Sequence, residues 1–331
     1  MEQPGEMVNS GDESASVWRG RLWVLLAAVM WSTSGFFAKA PWFAGWPGPV
    51  LAFWRALFAS LLLVVCIRRV SWSWGLVPMV AIFAAMSATY LTAMSRAEAS
   101  VAIWLQSTAP MWVFLLGVFW LREPVERRDW VLVALCGLGI AIIVAHQVRH
   151  ASPDAVAYGL ASGVLYAGVV LSLRRLRRHD PTWLVALNHL GTSLVLAPVA
   201  LQAPVWPQGF QWFYLAAFGM FQLGAPYVFM AKGLQTVPSH QAALIALIEP
   251  LLVPLWVYVA WRNHPGYQAP SVWTMLGGAC ILIGLMYRHL GLPRGWMRLA
   301  RESSPAATAA QDVAGAEPSP PGNPSTRRTR S

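Results

Sequence analysis

The chain has 331 residues, of which 56% are hydrophobic and only 11% charged, with a formal net charge of +10. A soluble domain carries about 25% charged residues, so this composition excludes a water-soluble fold. The arginines lie in short stretches between apolar runs and not on one soluble surface, which sets nucleic acid aside as a partner.

A membrane crossing takes about 20 apolar residues. In chain order, the apolar runs predict spans at 22–40, 48–67, 75–95, 99–121, 130–148, 155–173, 183–201, 210–231, 239–261 and 271–290. Residues 1–21 form a polar N-terminal tail with Glu2, Glu6, Asp12 and Glu13. The run that follows reads as the chain's own insertion signal and not as a cleaved leader. Residues 291–331 form a second tail, and from about Ser303 its Ala, Pro, Ser and Gly content predicts disorder. Short connections make consecutive helices antiparallel neighbours. Cys66, Cys136 and Cys280 are far apart and within apolar runs, which suits buried small hydrophobes better than a metal site or a disulfide framework.

Loop charge predicts orientation. With the N-terminus cytoplasmic, 19 of the 24 Lys and Arg residues fall on the cytoplasmic side. Only Arg96, Arg149 and Arg262 fall opposite, and Lys39 and Arg55 lie within spans. Both termini are therefore expected in the cytoplasm, with an even number of spans.

The two halves resemble each other. Gln106-Ser-Thr-Ala-Pro110 and Ala246-Leu-Ile-Glu-Pro250 stand 140 residues apart, each with a mid-span proline. Five spans per half force the second half to enter the membrane inverted, and inverted repeats hold their substrate near the midplane at the repeat interface. The expected fold is an all-α membrane protein of ten transmembrane helices in a five-plus-five inverted repeat, 22–148 and 155–290.

Glu249 is the one acid within a predicted span. An ionised carboxylate at bilayer depth costs at least ~2.5 kcal/mol, so it faces the interior or a wet cavity. It either couples a proton, pairs with a cationic group of a substrate, or bonds a neighbouring helix. Arg55 and Lys39 together suit a substrate carboxylate; an ion pair for packing and snorkelling to the interface are the plainer readings. Pro110 and Pro250 each remove an N–H and free the carbonyl four residues earlier, on Gln106 and Ala246; the break either lines a cavity or kinks the helix for packing. Asn188 falls near Arg55 in the repeat alignment, and Gln106, Asn188, His189, Gln222 and His240 are polar groups in or beside spans that suit interhelical bonds or substrate. Trp31 and Trp104 are deep tryptophans suited to an aromatic cavity or to the core. Gly159, Gly163 and Gly168 let helices approach closely, within the fold or between the protomers of a homodimer. Other tryptophans, among them Trp18, Trp46, Trp72, Trp74 and Trp130, mark interfacial belts.

These features occur together in a known family. Ser32-Thr-Ser-Gly-Phe-Phe-Ala-Lys39, Phe53-Trp-Arg55, Leu105-Gln-Ser-Thr-Ala-Pro110 leading to Leu121-Arg-Glu-Pro124, Leu247-Ile-Glu249-Pro250, and the run Gly277 to Gly284 resemble the EamA-type (RhaT-like) branch of the drug/metabolite transporter superfamily. The likeness covers about residues 22–290. It implies ten helices in two inverted halves, in a bacterial cytoplasmic membrane, moving small metabolites without a cofactor. The expected activity is secondary active transport of a small polar metabolite such as an amino acid, by efflux coupled to protons. There is no P-loop to point to ATP drive. A membrane receptor or scaffold would need longer loops. An intramembrane enzyme would need a Ser–His pair, an HExxH or a carboxylate cluster.

Overall fold

The computed structural model describes residues 10–121, 126–150 and 153–290. The motif residues Arg122, Glu123 and Pro124, and the tails 1–9 and 291–331, lie outside the described residues. All regular structure among the described residues is helical.

The first helix, α1 (Ser10–Ser32), stops short of its expected end and gives way to a short α2 (Ser34–Ala38). No proline causes this. The Ser32 hydroxyl donates to the Val29 carbonyl (2.6 Å) and the Thr33 hydroxyl to that of Met30 (2.7 Å). Two consecutive side chains thus compete for carbonyls of the preceding turn, which bends or ends a helix. The apolar helical stretch closes at Ala38, so Lys39 lies just beyond it and not within it.

Next come α3 (Gly48–Val64) and α4 (Leu76–Arg96). The fourth run is split into α5 (Ala99–Gln106) and α6 (Ala109–Leu121), with Pro110 the second residue after the break. Then follow α7 (Arg127–His150), α8 (Pro153–Arg175) and α9 (Pro181–Leu201), the last started by Pro181 and by the Asp180 carboxylate, which accepts from the Thr182 and Trp183 N–H groups. A π-helical turn, Met220–Gly224, joins α10 (Phe210–Gly219) to α11 (Ala225–Gly233). The ninth run again splits, into α12 (Ser239–Ala246) and α13 (Glu249–Trp261), with Pro250 second after the break; α14 (Val272–His289) closes the array. All four boundaries of α5 and α6 recur 140 residues later in α12 and α13.

Among the described residues, eight helical stretches are long and apolar enough to cross a membrane. Of the others, α3 is apolar but has 17 residues, and α14 has 18 with Arg288 and His289 in its last turn. The exterior is apolar: Leu61, Val77, Leu194, Phe213 and Val259 are exposed, whereas Arg55, Asn188, His189 and Gln222 are buried. That distribution belongs to a multi-pass membrane protein, whose solvent is hydrocarbon and whose polar groups must find partners inside.

The principal pairs are α7 with α14, α4 with α8, α3 with α9 and α1 with α11. Small residues set these contacts. A Cβ on Gly139 would sit 2.4 Å from the Gly277 carbonyl oxygen, and one on Gly277 2.7 Å from that of Gly139, so α7 and α14 touch backbone to backbone. Gly159 and Gly163 abut Leu105 of α5, and Gly168 abuts Ile82 of α4. The glycine row on α8 is therefore used within the fold. Trp46, expected at an interface, is buried at 7% exposure in the core beside Phe43.

Two acids outside the expected set lie in first turns of helices. Asp129 of α7 is buried and paired with Arg288 of α14, and Asp154 of α8 pairs with Arg96. The positive end of the helix favours a carboxylate there. The connection between α4 and α5 carries a third, Glu98, which is buried and accepts bonds from the Ser271 N–H (2.8 Å), Gln147 Nε2 (3.0 Å) and the Thr274 hydroxyl at the start of α14. Burial pushes its carboxyl above the ordinary range, against the pull of those bonds.

The α7–α14 contact makes a direct test. Gly277→Val should lower the thermal midpoint of the purified protein by an amount equivalent to about 1–3 kcal/mol of overpacking. Gly137→Ala on the same helix as Gly139 meets nothing within 4 Å and should leave the midpoint unchanged; equal midpoints for both variants would show that the crossing is not close-packed.

Candidate functional site

Four helical runs are interrupted among the described residues: at Thr33, at Ser107–Thr108, at the Met220–Gly224 turn and at Leu247–Ile248. All four interruptions meet at one cavity of about 180 Å³. Trp31 and Ser34 flank the first, Gln106 and Ser107 belong to the second, Gln222 and Leu223 to the third, and Ala246 and Glu249 flank the fourth. Arg55 of α3 and Phe83, Met86, Ser87 and Tyr90 of α4 complete much of the lining, with Tyr166 of α8 and Tyr227 of α11.

Arg55 is 8% exposed. Its Nε donates to Gln222 Oε1 (2.9 Å), and Gln222 Nε2 donates to the Trp31 carbonyl (2.9 Å). The relay ends on a carbonyl in the last turn of α1, where carbonyls lose their intrahelical partners. The guanidinium also lies 5.0 Å from the ring centre of Phe218. Glu249 opens α13, where the helix N-terminus favours a negative group. Among the described residues no ion pair joins Glu249 to Arg55; Arg55 bonds Gln222, and the two ionisable side chains line one cavity. The Ser34 and Tyr90 hydroxyls are hydrogen-bonded at 3.0 Å, and Gln106 Nε2 points at Met86 Sδ (3.3 Å).

Four of the seven expected side chains thus share this site: Glu249, Arg55, Gln106 and Trp31. Three do not. Lys39 lines a separate, larger cavity, because the chain turns at Thr33 and α2 carries it away from Arg55. Trp104 is 1% exposed and its ring fills the space a side chain at Gly278 would take, so it is core. Asn188 is 2% exposed on α9 and lines neither cavity. His189 is fully buried behind the wall, edge-on to Phe83 and tilted against Tyr227. Pro110 and Pro250 stand at their expected breaks. The side chain of His240 lies outside the described residues.

Sequence reasoning passed over Ser34, Tyr90, Ser107, Tyr166 and Tyr227, and noted Gln222 without selecting it. A glutamine within an apolar run was the available signal for Gln222. The tyrosines carried none, since a tyrosine in a span serves equally at an interface.

The EamA-like transporter family model matches the chain twice, at residues 18–145 and 154–287. The chain belongs to this family. Its relatives agree in kind. An uncharacterized transporter of Archaeoglobus fulgidus is 27% identical over 81% of this chain and 95% of its own length. The pseudopaline exporter CntI of Pseudomonas aeruginosa is 26% identical over 80% and 93%. The threonine/homoserine exporter RhtA of Escherichia coli is 27% identical over 46% of this chain and 51% of its own. A crystal structure covering 84% of this chain and 97% of its own matches with a TM-score of 0.57 at 20% identity, a likeness of fold.

The Arg55–Gln222 bond predicts a graded response. Gln222→Leu leaves a buried guanidinium N–H without its partner and should cost about 1.5–3 kcal/mol in thermal unfolding of the purified protein. Gln222→Glu restores an acceptor and should recover most of that loss; equal losses in both would show that packing, not the bond, holds Arg55.

Proposed function

We propose that this chain is a secondary active transporter of a bacterial cytoplasmic membrane that exports a small zwitterionic metabolite by alternating access. One observation carries the reading: a buried arginine from the first family-matched segment and a carboxylate from the second face a single cavity built where helices are broken. Arg55 takes the substrate carboxylate. Glu249 takes its ammonium group or, between substrates, a proton. Trp31 and the tyrosines supply apolar and aromatic walls. The names of two relatives, exporters of an amino-acid pair and of pseudopaline, support efflux of an amino acid or a compound related to one.

Ten spans in two inverted halves fit this mechanism. Support comes from the pairing of helices. Counting each interrupted run as one span, exchange of the halves carries the α4–α8 pair into the α11–α1 pair. It carries α3–α9 and α7–α14 into themselves. Rocking one half against the other would open the cavity to either face in turn. The loop charges support cytoplasmic termini.

The first test compares small molecules in the medium around cells expressing wild type or Glu249→Gln at equal abundance. Export should fall to the level of empty cells in the variant. In reconstituted vesicles, uptake of the metabolite so identified should follow an imposed pH gradient for wild type and ignore it for Glu249→Gln. Unimpaired transport by Arg55→Ala would sink the carboxylate assignment, and an unchanged pH response in Glu249→Gln would remove the proton from Glu249.

A further inference from the structure

A second cavity, of about 650 Å³, is lined by the 39–47 connection, the start of α3, the C-terminal half of α4 and the loop after α13. It shares no lining residue with the central cavity, yet the two follow the same helices. Tyr90 faces the central cavity and Thr89 and Thr92 face this one; Ser34 lies in the first and Ala38 in the second. The Ser34–Tyr90 hydrogen bond belongs to the lining of the central cavity. The larger cavity is therefore a neighbour of the smaller on shared helices.

Its chemistry is one-sided. The ionisable basic groups that line it are Lys39, Arg96 and His264, and no Asp or Glu lines it. Arg96 is engaged by Asp154, both half-exposed, and lies over the Tyr158 ring. Lys39 differs: among the described residues no hydrogen bond or ion pair reaches its ammonium, and the nearest influential acid, Glu98, is occupied by Ser271, Gln147 and Thr274. Trp46, Trp261 and Tyr267 add aromatic side chains to the lining. A positive recess with aromatic walls concentrates anions and stacks rings.

The geometry points to this larger cavity as a second binding station, separate from the central cavity, that holds a small organic carboxylate on Lys39 with its apolar part against the aromatic side chains. Its ligand need not be the transported molecule. The station does not depend on Glu249 or Arg55, neither of which lines it.

The chain has only two lysines, Lys39 and Lys232. The full chain in phosphatidylcholine bilayer discs is therefore labelled with a membrane-impermeant sulfonated succinimidyl ester, and the rate at each lysine is read by peptide mass. Phenylacetate is the probe and phenylacetamide its neutral comparator. At ten times its Kd, phenylacetate should slow labelling of Lys39 roughly tenfold. Lys232 should be unaffected, and the amide should protect neither lysine. Glu249→Gln discs should give the same protection, so a failure of the transport reading leaves this result intact. Four outcomes overturn the station: equal protection by the amide, no labelling of Lys39 at all, loss of protection in Glu249→Gln, or protection that appears only when phosphatidylglycerol is added. The last would assign the recess to a lipid headgroup.

Discussion

In hydrocarbon, a backbone N–H or C=O without a partner costs several kcal/mol, so a helix crossing a membrane breaks only where protein or a cavity takes up the freed groups. That constraint organises this molecule. Four of its helical runs are interrupted, and the interruptions gather at one cavity instead of being scattered over the surface. Three local causes serve the four: back-bonding hydroxyls at Ser32 and Thr33, prolines at Pro110 and Pro250, and a widened turn at Met220–Gly224. What they share is destination. The central site takes up the irregular backbone of all four, and Arg55, Gln222 and Glu249 share it.

A buried charge follows a related rule. Arg55 would be costly in isolation, and removing one partner of a buried charged pair is usually worse than never having built it. The structure does not neutralise Arg55 with Glu249. It satisfies one donor with Gln222, lays the guanidinium against Phe218 and leaves Glu249 across an open space. A closed ion pair would be inert packing. On the proposed function, an arginine and a carboxylate that are not paired with each other would keep part of their binding capacity for a substrate.

The sequence was legible where the physics is one-dimensional. Apolar length located the helical runs, and the proline breaks at Pro110 and Pro250 fell where the missing N–H groups require. Glu249 and Arg55 stood out because charge in a span has few explanations. Lys39, Trp104 and Asn188 do not share the central cavity, because depth along a span does not give the direction a residue faces. Trp104 is as deep as Trp31 and yet packs on Gly278, while Trp31 borders the break at Thr33. That break carried only Ser32 and Thr33 as warning, and hydroxyl residues in helices usually leave the helix intact. Glu98 sits between two runs, where an acid is ordinarily a solvated loop residue; only the tertiary structure brings Ser271, Gln147 and Thr274 around it.

The two family-matched segments share a backbone device but not its chemistry. At equivalent positions 140 residues apart, Gln106 stands against Ala246 and Ala109 against Glu249. The first break presents a neutral amide and the second a carboxylate. The cation, Arg55, comes from the segment that lacks the acid. On the proposed alternating access, rocking one half against the other changes the Arg55–Glu249 separation, whereas two charges within one half would move together. The energy of that charge pair then depends on conformation, and whatever neutralises Glu249, a proton or an ammonium group, changes the balance between the two facing states. On that proposal, the matched breaks would permit the motion, and the unlike side chains would make it responsive to what is bound.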